Sequence, residues 1–102
     1  MDVHLQFTFR NKKRKASAII DYKEDPCIIF VFLTDEDLIK EFGDEVSIRT
    51  DCENILPAEY SYPELDELKT AIFDATKLTI EFARAKAEYP KSPKWPSQRQ
   101  AI

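Results

Sequence analysis

A chain of 102 residues is long enough for one domain with its own hydrophobic core and too short for two. Hydrophobic residues at 43%, charged residues at 33% and a net charge of −4 exclude both a membrane protein and a disordered chain. The single glycine, Gly43, excludes the glycine-rich loops that cradle phosphates and dinucleotides. The opening residues do not resemble a signal peptide, and two cysteines, Cys27 and Cys52, are too few for a disulfide framework, so we expect a cytoplasmic protein.

Three strands with short connections are predicted at the start of the chain. Residues 3–10 alternate between apolar and polar side chains, and residues 15–22 repeat this period of two, which is typical of half-buried strands. Residues 11–13 supply a turn between them. Residues 27–34 follow Asp25-Pro26 and begin with seven apolar side chains, which predicts a strand buried on both faces. Consecutive strands joined in this way form an antiparallel meander.

A short helix, a fourth strand and a long helix are predicted to follow. Thr34 and Asp37 resemble a capping box at the start of the short helix, and Gly43 suits a left-handed position at its end. Residues 45–50 alternate again and predict the fourth strand. After a loop, residues 64–88 carry apolar side chains at spacings of three and four, as a helix with one buried face does.

These elements predict a two-layer α+β domain over residues 1–89. Its order is β-β-β-short α-β-α, with a four-stranded, mainly antiparallel sheet and one long C-terminal helix packed on one face. Residues 90–102 contain three prolines and two lysines and predict an extended tail.

Apolar side chains that one helix cannot cover are the main functional signal in the sequence. Because successive strand residues point to opposite faces, Ile28, Phe30 and Phe32 lie on the face away from the long helix. On that helix, Phe73 and Ile80 lie off the main apolar stripe. Soluble monomers rarely expose large apolar patches, so we expect each set to form a partner surface, either a homodimer interface or a docking face for another protein. The three strand residues are the first candidate interface and the two helix residues the second. The alternative is that the short helix, the loop after the fourth strand and the tail cover them.

A basic hairpin supports a second hypothesis, binding of single-stranded nucleic acid. Five cations fall within six residues at the first turn: Arg10, Lys12, Lys13, Arg14 and Lys15. Such cations contact phosphates while aromatic side chains stack on bases. The order of four strands and a helix is similar to that of some single-stranded nucleic-acid-binding modules, and this similarity lies at the level of the fold alone. The negative net charge and the inward positions predicted for Phe7 and Phe9 oppose the hypothesis, and a solvated charged turn is its structural alternative.

Catalytic residues, metal sites and cofactors are not predicted. His4 is the only histidine, Cys27 begins a buried strand, and Cys52 lies between two acids whose carboxylates raise the pKa of a thiol. The acidic segment 35–53 lacks the spacing of a calcium-binding loop. We therefore expect a non-enzymatic protein that acts through contact with itself or with another protein.

Overall fold

The structure is a computed structural model that describes residues 1–23 and 26–89. Its four strands form one antiparallel sheet in the order β1-β2-β3-β4, and the helices pack against it, which confirms the predicted α+β fold. The elements are β1 (Asp2–Phe9), β2 (Lys12–Asp21), β3 (Cys27–Leu33), α1 (Glu36–Phe42), β4 (Glu45–Thr50), α2 (Pro63–Lys77) and α3 (Ile80–Glu88). The predicted tail, 90–102, lies outside the described residues.

The first hairpin turns at Arg10-Asn11, one residue earlier than the sequence predicts. Phe9 pairs with Lys12, so only two residues connect the strands. Arg10 has a φ of 55° and Asn11 a φ of 62°. Two successive positive φ values are typical of the two-residue turn whose twist matches that of the flanking strands. Asparagine tolerates this conformation well, which explains its place at the turn.

The hydrophobic core lies between the sheet and the helices. Every second strand residue is buried, as the alternation predicts for β1, β2 and β4; β3, which the sequence predicts to be buried on both faces, is fully buried on one face only. The apolar residues of this inward face are Val3, Leu5, Phe7, Phe9, Ala16, Ala18, Ile20, Cys27, Ile29, Val31, Leu33, Val46 and Ile48. The helices contribute Leu38, Leu68, Ile72, Phe73, Phe82 and Ala85. Burial of this apolar area is the main force that holds helices and sheet together.

The predicted long helix is two helices, with a break at Leu78-Thr79. The Thr79 hydroxyl accepts a hydrogen bond from the backbone N–H of Phe82 at 3.1 Å and so caps the start of α3. The same hydroxyl donates to the Thr76 carbonyl at 2.7 Å, which ties the cap to the last turn of α2. The prediction of one continuous helix is therefore wrong, because a threonine side chain competes with the helical backbone for hydrogen bonds.

The break changes the environment of Phe73. The chain turns at Leu78-Thr79, and the Phe82 ring meets the Phe73 ring edge-on, with centroids 5.9 Å apart. Phe73 is only 3% exposed, whereas Leu78, which falls within the apolar spacing that predicts one buried face over residues 64–88, is 89% exposed. The prediction of Phe73 as an interface residue is therefore wrong. It belongs to the core.

Both ends of α1 differ from the prediction, which gave a capping box at the start and a left-handed glycine at the end. Asp35, rather than Thr34, occupies the N-cap position, and it makes no side-chain capping bond. The Thr34 hydroxyl instead donates to the Lys15 carbonyl at 3.0 Å, which fastens the end of β3 to β2. Gly43 ends α1 with φ 89° and ψ 172°, a conformation that favours glycine but lies outside the predicted left-handed helical region.

Two leucines near opposite ends of α2 test this packing. We expect Leu68→Ala, at a fully buried position, to lower the free energy of unfolding by about 2–5 kcal/mol, through lost burial and the cavity left behind. Leu78→Ala should change it by less than about 0.5 kcal/mol, because Leu78 is 89% exposed. Urea unfolding followed by circular dichroism measures both. Equal losses would contradict the break between α2 and α3.

Candidate functional site

All the described covering elements lie on one side of the sheet. Besides α2 and α3, the short helix α1 packs there, since the Phe42 ring lies 6.1 Å from that of inward-facing Phe9. The loop after β4 follows, with the Tyr62 ring stacked 6.5 Å from that of Phe42. Two of the elements proposed as covers for the opposite face therefore leave it open. The third, the tail, lies outside the described residues.

The opposite face, called here the open face, has an apolar centre on β2 and β3. Ile19 pairs with Phe30, Ser17 with Phe32 and Asp21 with Ile28. Ile19 is 40% and Phe32 38% exposed, while Ile28 and Phe30 are half-buried. The three β3 residues predicted as interface thus lie side by side, and Ile19 joins them across the strand pair. We call these four residues the open-face patch.

Charged side chains on β1 and β2 flank the open-face patch with opposite signs at its two ends. Lys13 and Lys15 lie on this face near the hairpin, because they share the strand phase of Ile19. Asp21 lies at the far end of β2, and Asp2 lies opposite Ile19 on β1. The face is therefore basic at its hairpin end and acidic at the other end along these strands.

On β4 the order of charge is reversed. Glu45 pairs with Phe32, towards the hairpin end, and Arg49 pairs with Ile28, towards the other end. Ser47 lies between them, opposite Phe30. Each end of the open face therefore carries both signs of charge, arranged in opposite senses on β2 and on β4.

The basic hairpin does not act as one cluster of free cations. Arg10 is held by Glu41, with Nη1 donating to Oε1 at 2.7 Å and Nη2 to Oε2 at 2.8 Å. Lys12 lies in the phase of the core face, whereas Lys13 and Lys15 lie on the open face. Of the five cations predicted to contact phosphates, the structure brings only these two onto the face that carries the exposed aromatic rings.

The burial and the ion pairs of Arg14 argue most directly against the nucleic-acid hypothesis. It is only 3% exposed, and its Nη1 lies 2.9 Å from Asp37 Oδ2 and 3.1 Å from Asp35 Oδ2. Its Nε donates to the Phe9 carbonyl at 3.3 Å. The Asp37 carboxylate raises the already high pKa of Arg14, and Arg14 in turn lowers the pKa of Asp37. Arg14 therefore joins the hairpin to the start of α1 and cannot contact phosphate.

A second surface lies on the helix side, between β1 and α2. It is a groove of about 950 Å³ that runs along the outer edge of β1. Ile80 is 66% exposed and follows Leu78 and Thr79, which line one end of this groove. Of the two helix residues predicted as a second interface, the structure therefore buries Phe73 and leaves Ile80 at the surface, away from the open-face patch.

The nucleophilic side chains do not form a catalytic arrangement among the described residues. Cys27 and Cys52 are free thiols, both buried, and burial raises the pKa of Cys27 to about 12 and also raises that of Cys52. His4 lies opposite Ser17 on the open face. The same residues contain no group of three His, Cys, Asp or Glu side chains that could hold a metal ion.

Comparisons with known proteins give no assignment. No family model, curated protein or solved structure matches the chain. In the part of the chain that the structure describes, no helix has the length and apolar character needed to cross a membrane. The open face and the β1–α2 groove are the features from which a function can be derived.

The Arg14 ion pair predicts how stability depends on pH. The pKa of Asp37 is below its usual value of about 4, so its charge stabilises the fold above that pH, and the stabilisation is lost as the pH falls through the folded-state pKa. We expect Arg14→Met to lower the free energy of unfolding at pH 7 by about 1–3 kcal/mol. It should also make the loss of stability below about pH 4 shallower.

Urea unfolding at several pH values measures both effects. Arg84→Met is the matched control, since Arg84 is exposed on α3, and it should leave the acid dependence unchanged. An acid dependence that is identical in wild type and Arg14→Met would contradict a stabilising role for the pair.

Proposed function

We propose that this protein is a non-enzymatic protein-interaction domain that pairs with a second copy of itself through the open face. The observation that supports it is the open-face patch, a contiguous apolar surface in the middle of a four-stranded sheet that no described element covers. Exposed apolar patches bounded by polar residues are typical of protein-protein interfaces.

The charges around the patch favour a second copy as the partner. In a symmetric dimer, the same surface faces itself across a two-fold axis. A two-fold axis that lies between the two sheets, perpendicular to the strands and next to Val31, makes the strands of the two copies run in opposite directions. Lys15 of one copy would then lie over Asp21 of its partner. On β4 the same operation brings Glu45 to within about two residue spacings, roughly 6.6 Å, of Arg49 of the partner. Charges that are complementary under one symmetry operation favour self-association.

The area of the face is sufficient for a dimer of modest stability. Four strands at a spacing of about 4.8 Å, with about seven residues each at 3.3 Å, make a face of roughly 20 by 23 Å. Two such faces bury on the order of 1,000 Å², the lower end of the range for specific interfaces. The rings of Phe30 and Phe32 would lie next to the axis, where buried aromatic side chains contribute most to binding.

The remaining chemistry fits a cytosolic protein without catalytic activity. The thiol of Cys27, with a pKa of about 12, is protonated at neutral pH and is a poor nucleophile. The second cysteine is also a buried free thiol, as proteins of the reducing cytosol have.

Substitution in the patch tests the dimer. We expect Phe30→Asp to raise the dimer dissociation constant by at least about tenfold, because a carboxylate would be desolvated at the centre of the interface. Light scattering and analytical ultracentrifugation of wild type and variant measure this. Ile80→Asp, a similar change at a 66% exposed residue on the other side of the molecule, is the control and should leave the mass unchanged. A monomeric wild type at high concentration would contradict the proposal.

Charge reversal separates association from folding, because the charged residues lie on the surface. Lys15→Glu should weaken the homodimer by about tenfold, since an acid would then face Asp21 of the partner. Asp21→Lys should weaken it similarly, since this lysine would then face Lys15 of the partner. A mixture of the two variants should form heterodimers, in which each new charge meets one of opposite sign. Mixing that restores no dimer would contradict the proposed axis.

Single-stranded nucleic acid is a second candidate for the same face, favoured by one observation. Lys13 and Lys15 lie on the face that exposes Phe30 and Phe32, so cations and aromatic rings occur together there, although Phe7 and Phe9 are buried. A basic groove with aromatic rings can hold a strand through phosphate contacts and base stacking. The neutral balance of charge on the face and the buried Arg14 make this candidate the weaker one.

A labelled twelve-nucleotide single strand tests this second function. Binding should weaken steeply with salt, by about tenfold or more between 50 and 200 mM, and should decrease in Lys13→Gln with Lys15→Gln. Because the same face is used, bound oligonucleotide should also reduce the amount of dimer. The control is Lys12→Gln with Lys40→Gln, two exposed lysines outside the open face. No binding at low salt would remove this function.

A further inference from the structure

The groove between β1 and α2 is lined by the backbone of an edge strand. Five successive residues of the chain, 6–10, line it, although their side chains alternate between the two faces of the sheet. Successive residues of one strand can line the same groove only through their backbone, at the edge of the sheet. β1 is the first strand in the sheet and pairs with β2 alone, so its outer edge has no described strand beside it.

The phase of hydrogen bonding shows which backbone groups point into the groove. Met1 and Ile20 exchange two bonds, with the Ile20 N–H donating to the Met1 carbonyl at 2.8 Å and the Met1 amino group donating to the Ile20 carbonyl at 3.1 Å. In an antiparallel pair, such bonded residues alternate with residues whose N–H and C=O groups point outward. The register therefore directs the N–H and C=O groups of Gln6 and Thr8 away from β2, towards the groove.

The opposite wall is one stripe of α2, acidic at its rim and apolar at its base. Asp66, Glu67 and Asp74 are exposed, whereas Ala71 and Ala75 are half-buried beneath them. The stripe continues at one end to Leu78, which is 89% exposed. The small alanine side chains leave room beside the strand, and the leucine offers an apolar contact at the end of the groove.

The groove has a surplus of negative charge. Arg10 is the only cation that lines it among the described residues, and both its Nη atoms are bound to Glu41 at 2.7 and 2.8 Å. Asp74 lies 3.7 Å from Lys77, but both side chains are exposed, and such pairs contribute little. Asp66 accepts one long hydrogen bond, at 3.4 Å from the Ser61 hydroxyl, so these exposed carboxylates on α2 remain available to a cationic ligand.

We propose that this groove binds an extended, basic peptide segment, which adds to β1 as a fifth strand. The outward N–H and C=O groups of Gln6 and Thr8 would supply main-chain hydrogen bonds, the source of affinity when a peptide extends a sheet. Every second peptide side chain would face α2, where lysine or arginine meets the carboxylates and an apolar residue meets Leu78. At 3.3 Å per residue, the lining strand segment accommodates about five to seven peptide residues. The site lies at the sheet edge and is independent of the proposed dimer face.

The probe is a capped heptapeptide, Thr-Lys-Thr-Lys-Thr-Val-Thr, titrated into ¹⁵N-labelled full-length protein. We expect amide chemical-shift changes at Gln6 and Thr8 and at Ala71 and Ala75, with slower amide exchange at Gln6 and Thr8. The same peptide with N-methyl groups on the amides that face β1 should bind at least about tenfold more weakly, because it loses its main-chain hydrogen bonds. No shifts at millimolar peptide, shifts centred on the open-face patch, or equal binding of the methylated peptide would each overturn the proposal.

A charge-matched pair of variants tests the acidic wall. Glu67→Gln with Asp74→Asn should weaken peptide binding by about three- to tenfold at low salt. Glu59→Gln with Glu88→Gln removes the same charge from exposed positions outside the groove and should leave binding unchanged. Equal losses in the two variants would show unspecific attraction and overturn the proposal. So would concentration-dependent protection of the β1 amides without peptide, because a second copy would then occupy the edge.

Discussion

The described elements cover the sheet on one side only, and the remaining features of the molecule depend on this constraint. Successive strand residues point to opposite faces, so a single layer of helices can bury only every second residue. The seven apolar residues of β3 are therefore divided between a buried set, which includes Ile29 and Val31, and an uncovered set, which includes Phe30 and Phe32. The helices are held by the first set. The second set contributes little to the core, and its burial against a partner would be a separate source of free energy.

The alternation of side chains along a strand also places one charged residue, Arg14, on the core side of the sheet. Its position on β2 directs the side chain into the core side, between the hairpin and α1. A guanidinium can be buried only if its charge is paired and its N–H groups are bonded, which Asp35, Asp37 and the Phe9 carbonyl achieve. The two aspartates remain partly exposed, so the cost of desolvation falls mainly on the arginine. A residue that resembles a surface cation in the sequence thus joins the hairpin to the start of α1.

The strands could be predicted from the sequence because a period of two specifies which side of each strand is buried. The break between α2 and α3 could not, since no glycine or proline marks it and the apolar spacing continues through it. Its signal is chemical: Thr79 can cap a helix through its hydroxyl, and Thr76 lies one turn earlier. The burial of Phe73 follows from this break, so both errors have one cause. The β1–α2 groove requires the position of α2 over the sheet, which depends on long-range packing.

In the proposed dimer, the two candidate surfaces would act together. The two-fold axis that crosses the strands keeps each strand over its own counterpart, so both β1 edges lie on the same side of the assembly. Each edge would remain free for a peptide strand, because the open face and the β1–α2 groove use different sides of the sheet. Two grooves on one side would allow a ligand with two basic segments to bind both copies. Its second contact would then be intramolecular, and its affinity would depend on dimer formation at Phe30 and Phe32.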